Sequence, residues 1–385
     1  MRITKMFSAF FNSEKSGGII LIFCTLLSLI IANSSFGSGY VEFWQQNAGG
    51  MSIEHWINDA LMAVFFLMIG LELEREVYIG ELSTLKDALL PIFAAAGGMI
   101  VPAGIYLLLN YGTAGQPGAG IPMATDIAFA IGVLSLLGNK VPTSLKIFLT
   151  ALAVIDDLGA ILVIAVFYSK GIVLTNLLIA LGVYAALLII NRLKVRNLVP
   201  YLIGGVVMWY FMHQSGVHAT IAGVLTAFAI PFGNGDEKST SYVLQNFLHK
   251  PVAFFILPVF ALANTAIIIN GSLSDVLTEN YSLGIGAGLI IGKPLGILLL
   301  SSLAVALGFS KLPDGIRWKH IIGVGFLAGI GFTMSIFITL LAFDDAQMVS
   351  NAKLAILVSS VIAAIIGLIA LRYILKNEPP EEEAA

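Results

Sequence analysis

Twelve predominantly apolar stretches recur along this chain, at 17–33, 57–73, 88–110, 121–137, 144–168, 171–191, 198–212, 214–231, 251–270, 283–307, 321–343 and 353–375. A helix that crosses a bilayer needs roughly 20 mostly apolar residues, and nearly all of these stretches meet that length. They make the chain an all-α polytopic membrane protein of about 12 transmembrane helices. The seventh and eighth are short and close together, and read either as two spans or as one kinked one. Composition agrees: charged residues make up 11% of the chain and hydrophobic ones 58%, whereas soluble domains carry about 25% charged residues to cover their surface.

The basic residues decide between the two counts. With twelve spans, seventeen of the 20 lysines and arginines fall on the side that holds both termini, Lys170 and Lys353 fall on the other, and Lys293 lies inside a span. Merging spans seven and eight destroys this asymmetry. Positive loops stay cytoplasmic, so both termini are expected inside. Trp44, Trp56, Trp209 and Trp318 fall at or near segment ends, as an interfacial belt requires. The first run follows a basic start from Arg2 to Ser16, but it is long for a signal peptide and Asn33-Ser34-Ser35 is a poor cleavage context. No soluble domain fits, since the longest polar connections are 33–56 and 232–250. The net charge of −3 gives no basic surface for nucleic acid, and one cysteine, Cys24, permits no intrachain disulfide. Residues 376–385, with Glu381 to Glu383 after two prolines, read as a disordered acidic tail.

Two spans are rich in residues that weaken helices. The fourth opens GAGIPMATD from Gly118 to Asp126, and the eleventh runs GVGFLAGIGFTMS from Gly323 to Ser335. Proline removes a backbone donor and glycine lowers helix propensity; in lipid the freed groups are tolerated only against protein or a water-filled cavity. Glycine- and proline-interrupted spans at matching places in two halves point to a transport site. Close packing through small residues is the plainer account, weaker for span four because Thr125 and Asp126 adjoin its break. Broken helices would turn half-helix ends toward one another, each with about half a unit charge. A carboxylate near N-termini and an ammonium near C-termini would balance them, and Asp126 and Lys293 supply one of each.

Asp156 and Asp157 stand side by side in the otherwise uncharged run from Ile147 to Tyr168. An ionised carboxylate in hydrocarbon costs about 2.5–3.5 kcal/mol on insertion scales, and such a residue is a functional site by default. Successive helical residues point about 100° apart, so one aspartate can line a cavity while the other turns toward Lys293. Desolvation opposes ionisation and an opposite charge favours it; groups so balanced exchange protons near neutral pH. Oxygen-rich sites suit hard cations, so carboxylates, the Thr125 hydroxyl and freed carbonyls can take Na+ or Li+. The five histidines, His55, His213, His218, His249 and His320, are scattered and offer no zinc-ligand spacing, and no nucleotide-binding glycine motif occurs. An intramembrane aspartyl protease needs acids from facing helices and fits Lys293 and the twelve-span layout poorly. A sodium-coupled solute symporter would need a polar pocket, for which Asn264, Thr333 and Ser335 are few candidates; a channel would need no obligatory exchange.

The strings WINDALMAVFF from Trp56, ATDIAFA from Ala124, AVIDDLGA from Ala153, SGVHAT from Ser215, IGKPLG from Ile291 and GIGFTMSIF from Gly329 resemble NhaA-type sodium/proton antiporters, over a match running from Phe10 to the last span. The resemblance implies a secondary transporter rather than an enzyme, with no cofactor, in a bacterial inner membrane. It implies an inverted-topology repeat of spans 3–5, about 88–168, and spans 10–12, about 283–375, with discontinuous spans four and eleven crossing at mid-membrane. Asp156 and Asp157 become the ion-binding and proton-carrying pair, Thr125 and Asp126 assist, and Lys293 pairs with Asp156 or neutralises the half-helix ends. Glu72, Arg75, His218 and His249 map to pH-response positions. The chain departs from the family at Gln245 and Asn246, where an acid and a histidine are usual, and at Glu74, where a base is usual; both changes bear on the pH profile. A homodimer contact through a β-hairpin in loop 33–56 is also implied, although that loop shows little strand alternation.

Overall fold

The computed structural model describes residues 14–80, 82–169, 171–269 and 272–376. The basic start before residue 14, Lys170 and the tail beyond residue 376 lie outside the described residues. Helix α1 (Glu14–Ala32) turns sharply, by 115°, into α2 (Gly37–Gln45). A two-stranded hairpin follows, β1 (Asn47–Ala48) against β2 (Met51–Ser52). Its Gly49-Gly50 turn has both residues at positive φ, the conformation that two-residue hairpins demand and glycine supplies. Strands this short cannot show alternation, which is why loop 33–56 gave so little strand signal.

The remaining helices are α3 (Ile53–Tyr78), α4 (Leu85–Asn110), α5 (Ile127–Ser135), α6 (Thr143–Phe167), α7 (Leu174–Arg192), α8 (Val199–His213), α9 (Ile221–Ala229), α10 (Thr240–Asn264), α11 (Leu273–Thr278), α12 (Asn280–Ala306), α13 (Trp318–Ala328), α14 (Phe332–Ala342) and α15 (Ala346–Lys376). A tighter 3-10 segment, Gln116–Met123, precedes α5. Among the described residues, eight helices are long and apolar enough to cross a membrane, or ten if each bent pair counts once. The two short stretches of the sequence are the ones left over: α8 falls below the length of a full span, and α9 has only nine residues.

Both expected breaks are present. Residues 124–126 are extended between the 3-10 segment and α5, and α13 and α14 are separated by residues 329–331 and bent by 50°. Two boundaries differ from the sequence reading. The polar stretch before Pro251 is helical from Thr240, and Val252–Ile256 form a wide π-type turn after the proline. Lys353, expected at the outer end of the twelfth span, is buried inside α15, which begins seven residues earlier at Ala346. Polar groups facing neighbouring helices, such as Arg75 over the Tyr242 ring at 4.7 Å, let these helices extend past their apolar cores.

Helices α4 and α12 pack backbone to backbone at Gly97 and Gly296; a Cβ on either would collide with the other's carbonyl oxygen. Small residues let spanning helices approach this closely. Gly296→Ala is expected to destabilise the protein by about 1–3 kcal/mol through overpacking, read as a lower thermal unfolding midpoint in detergent. Gly104→Ala, on α4 but facing open space, should leave the midpoint unchanged or raise it slightly.

Candidate ion-binding site

The two breaks meet. The Asp126 backbone N–H donates to the Ile330 carbonyl at 2.7 Å, and the Ser335 hydroxyl donates to the Ile121 carbonyl at 2.7 Å. Between them Asp126 is buried and caps two helix starts at once. Its Oδ1 accepts from Phe129 N–H in the first turn of α5 at 2.9 Å, and its Oδ2 accepts from Thr333 N–H in the first turn of α14 at 3.1 Å and from the Thr333 hydroxyl. Helix starts carry orphan N–H donors and partial positive charge, so one carboxylate satisfies both. Opposite in sign, the Lys293 ammonium donates to the Met123 carbonyl, the last residue of the 3-10 segment.

Lys293 also holds Asp156, with Nζ 2.6 Å from Oδ2 and both side chains fully buried. The Thr125 hydroxyl lies 2.6 Å from the same Oδ2 and 2.9 Å from the Ala328 carbonyl; its one proton serves one of them at a time. Asp156 Oδ1 and both oxygens of Asp157 are buried and have no hydrogen-bond partner among the described residues. The helical rotation between neighbours explains the division: one aspartate of α6 answers the lysine, and the next makes no hydrogen bond to it.

Thr125, Asp126, Asp156, Asp157 and Lys293 thus occupy one buried region where the interrupted segments touch α6 and α12. Other sequence candidates lie outside this cluster, although Glu72 on α3 is near enough to Asp157 for their carboxylates to repel. Arg75 sits near the end of α3, stacked on Tyr242, and reaches the Gly235 carbonyl at 3.4 Å. Glu72 lies one turn earlier on α3, and His249 is exposed on α10. His218 bonds the Thr220 hydroxyl at 2.9 Å and meets the Phe337 ring edge-on at 5.3 Å. Glu74 is buried, and its Oε2 has no hydrogen-bond partner among the described residues.

Sequence reasoning missed Thr333 as a partner of Asp126, although its place two residues past Gly331, at a break, was a usable signal. It also missed the carbonyls of Met123, Ala328 and Ile330, which carry no side-chain signature. A second polar cluster went unread: Lys353 lies 3.6 Å from Glu54 and donates to Asn264 Oδ1 at 3.3 Å, while Asn264 donates to Asn58 at 2.7 Å. Nor are all the histidines scattered in space, since His55 and His213 both reach Asp59. Long-range pairing of this kind has no local spacing to betray it.

The family described as Na+/H+ antiporter 1 matches residues 8–371. The Na(+)/H(+) antiporter NhaA of Flavobacterium psychrophilum is 70% identical, with 98% of each chain covered. NhaA 1 of Flavobacterium johnsoniae is 63% identical over 97% of this chain and 98% of its own, and NhaA of Cytophaga hutchinsonii is 61% identical over 99% and 100%.

Removing one partner of a buried ion pair leaves an uncompensated charge and costs about 3–5 kcal/mol, whereas replacing both by apolar groups is often neutral. Lys293→Met and Asp156→Leu should therefore each lower thermal stability in detergent strongly, and the two substitutions together should recover most of the loss. Additive losses in that double-mutant cycle would show that the two side chains do not stabilise each other.

Proposed function

Since the chain belongs to the Na+/H+ antiporter 1 family, we propose that it exchanges Na+ or Li+ for protons by alternating access, with cation and protons competing for Asp156 and Asp157. The observation that carries this reading is Asp157. It is a carboxylate buried in a spanning helix with both oxygens unpartnered among the described residues, beside an Asp156–Lys293 pair that can open. Hard monovalent cations favour such oxygens.

The architecture that goes with it has twelve spans, with α8 and α9 as the seventh and eighth. Both termini are cytoplasmic in the inner membrane, and spans 3–5 and 10–12 form an inverted repeat. Matching members of the two triplets support the repeat: spans three and ten meet at paired glycines, and spans four and eleven are both interrupted where they touch. The two interrupted spans cross at mid-membrane, with Asp126 and Lys293 neutralising their ends. Two copies pair through the β1–β2 hairpin.

In the proton-loaded form Asp157 is neutral and Asp156 is held by Lys293. A Na+ ion arriving from the cytoplasm takes the free oxygens, and Asp157 gives up its proton. As Asp156 turns to the ion, the pair reorganises and its one proton, carried on Lys293 in the salt bridge, leaves as the second. The site then reorients, releases Na+ outside and reloads. Exchange of two protons for one Na+ moves one net charge, so membrane potential contributes about 2.3 kcal/mol per charge per 100 mV. Glu72, close enough to Asp157 for the two carboxylates to repel, and Arg75, His218 and His249, outside the cluster, tune its pH range. Asp126, its oxygens already taken by two helix starts, holds the breaks together.

Everted membrane vesicles acidified inside test this. NaCl and LiCl should alkalinise the lumen and KCl should not, and Asp157→Asn should reduce the response to background. A response to Na+ that survives the substitution would show that the exchange site is elsewhere, and no cation response from neutral to alkaline pH would overturn antiport itself.

A further inference from the structure

A second set of ligand-bearing side chains lies at the opposite end of α3 from Glu72 and Arg75. His55 Nε2 is 3.3 Å and His213 Nδ1 3.0 Å from the same oxygen, Oδ2 of Asp59. All three ligand atoms fall within 4.8 Å of one another. We propose that His55, Asp59 and His213 form a site for a divalent transition-metal cation of the Zn2+ class, joining the start of α3 to the end of α8.

Two imidazoles and one carboxylate are borderline ligands, suited to zinc and unsuited to the hard monovalent ions of the transport site. Tetrahedral zinc with bonds of about 2.0–2.2 Å holds neighbouring ligand atoms roughly 3.3–3.5 Å apart, so the two histidine–aspartate spacings need to open by only tenths of an ångström. The ligands come from rigid elements. His55 and Asp59 stand four residues apart at the start of α3, where the Ser52 hydroxyl accepts from His55 N–H at 3.1 Å and fixes the first turn. His213 ends α8, its ring stacked on Trp209 at 5.9 Å, and Trp209 stacks in turn on Trp56.

Access is one-sided, as an ion site needs. Asp59 is 12% exposed, while His55 is 48% exposed and leaves an open position for water and a path for the ion. Neighbouring charged groups are already engaged: Glu54 with Lys353 and His218 with Thr220. Asp59 alone therefore supplies the anionic ligand. None of the three belongs to the transport machinery, so metal binding can be read separately from exchange.

The test uses full-length, tag-free, chelator-treated protein in detergent, titrated with ZnCl2 in excess NaCl by calorimetry. Wild type should bind one Zn2+ per chain. Loss even of groups that only orient a ligand weakens metal sites about 10–100-fold, so His55→Gln and His213→Gln should each weaken binding at least tenfold. Both should keep Na+/H+ exchange in vesicles, and His249→Gln should bind as wild type does. Binding unchanged in both His55→Gln and His213→Gln would overturn the site. Wild-type protein titrated with CoCl2 gives a check that needs no variant: intense visible absorption from a four- or five-coordinate ion is expected, and the weak spectrum of six-coordinate aqueous Co2+ alone would overturn the proposal.

Discussion

A helix broken inside a bilayer strands backbone donors and acceptors where lipid offers no partner, and this chain breaks two helices at the same place. The rest of the site follows from how those ends are satisfied. Asp126 accepts from the first turns of α5 and α14 together, and Lys293 donates to the carbonyl end of the 3-10 segment. Each half-helix end carries about half a unit charge, so one carboxylate and one ammonium are the smallest set that balances both signs. Thr125 and Ile330 complete the junction by tying the extended segment at 124–126 to the last residue of α13, Ala328, and to the link that follows it.

Lys293 then brings a full positive charge into a region with no water-facing surface, and Asp156 is the acid that answers it at 2.6 Å. Buried pairs contribute little net stability, because desolvation consumes most of their attraction; in the exchange we propose, a competing cation opens the pair. Asp157, one residue on, makes no hydrogen bond to the lysine. A chain with a single aspartate at this level of α6 would have a salt bridge and no carboxylate with both oxygens unpartnered. The consecutive pair gives one carboxylate held by the lysine and one whose oxygens have no partner among the described residues.

Much of this was legible in the sequence because lipid makes chemistry expensive to hide. Charges such as Asp156, Asp157 and Lys293 stand out against apolar runs, and GAGIPM and GIGFTM mark the breaks. What was not legible is whatever depends on partners distant in sequence or on backbone atoms. Lys353 read as the outer end of a span because its partners, Glu54 and Asn264, lie on other helices. Thr333 read only as a sparse polar-pocket candidate because Asp126 is far from it along the chain. The helical stretch before Pro251 was hidden by its polarity, and the hairpin by strands of two residues whose only signal was Gly49-Gly50. His55 and His213, unremarkable separately, meet only because α3 and α8 pack with Asp59 between them.

The central claim is that Na+ and protons occupy the same buried carboxylates in turn. The most direct measurement is the number of protons released when Na+ binds the purified protein. It is read at one pH by titration calorimetry in buffers of different ionisation enthalpy, because ligands that must be deprotonated release protons on metal binding. Release of at least one proton per Na+ bound, with neither binding nor release in Asp157→Asn, is the predicted result. Na+ binding to wild type with no proton release would contradict it.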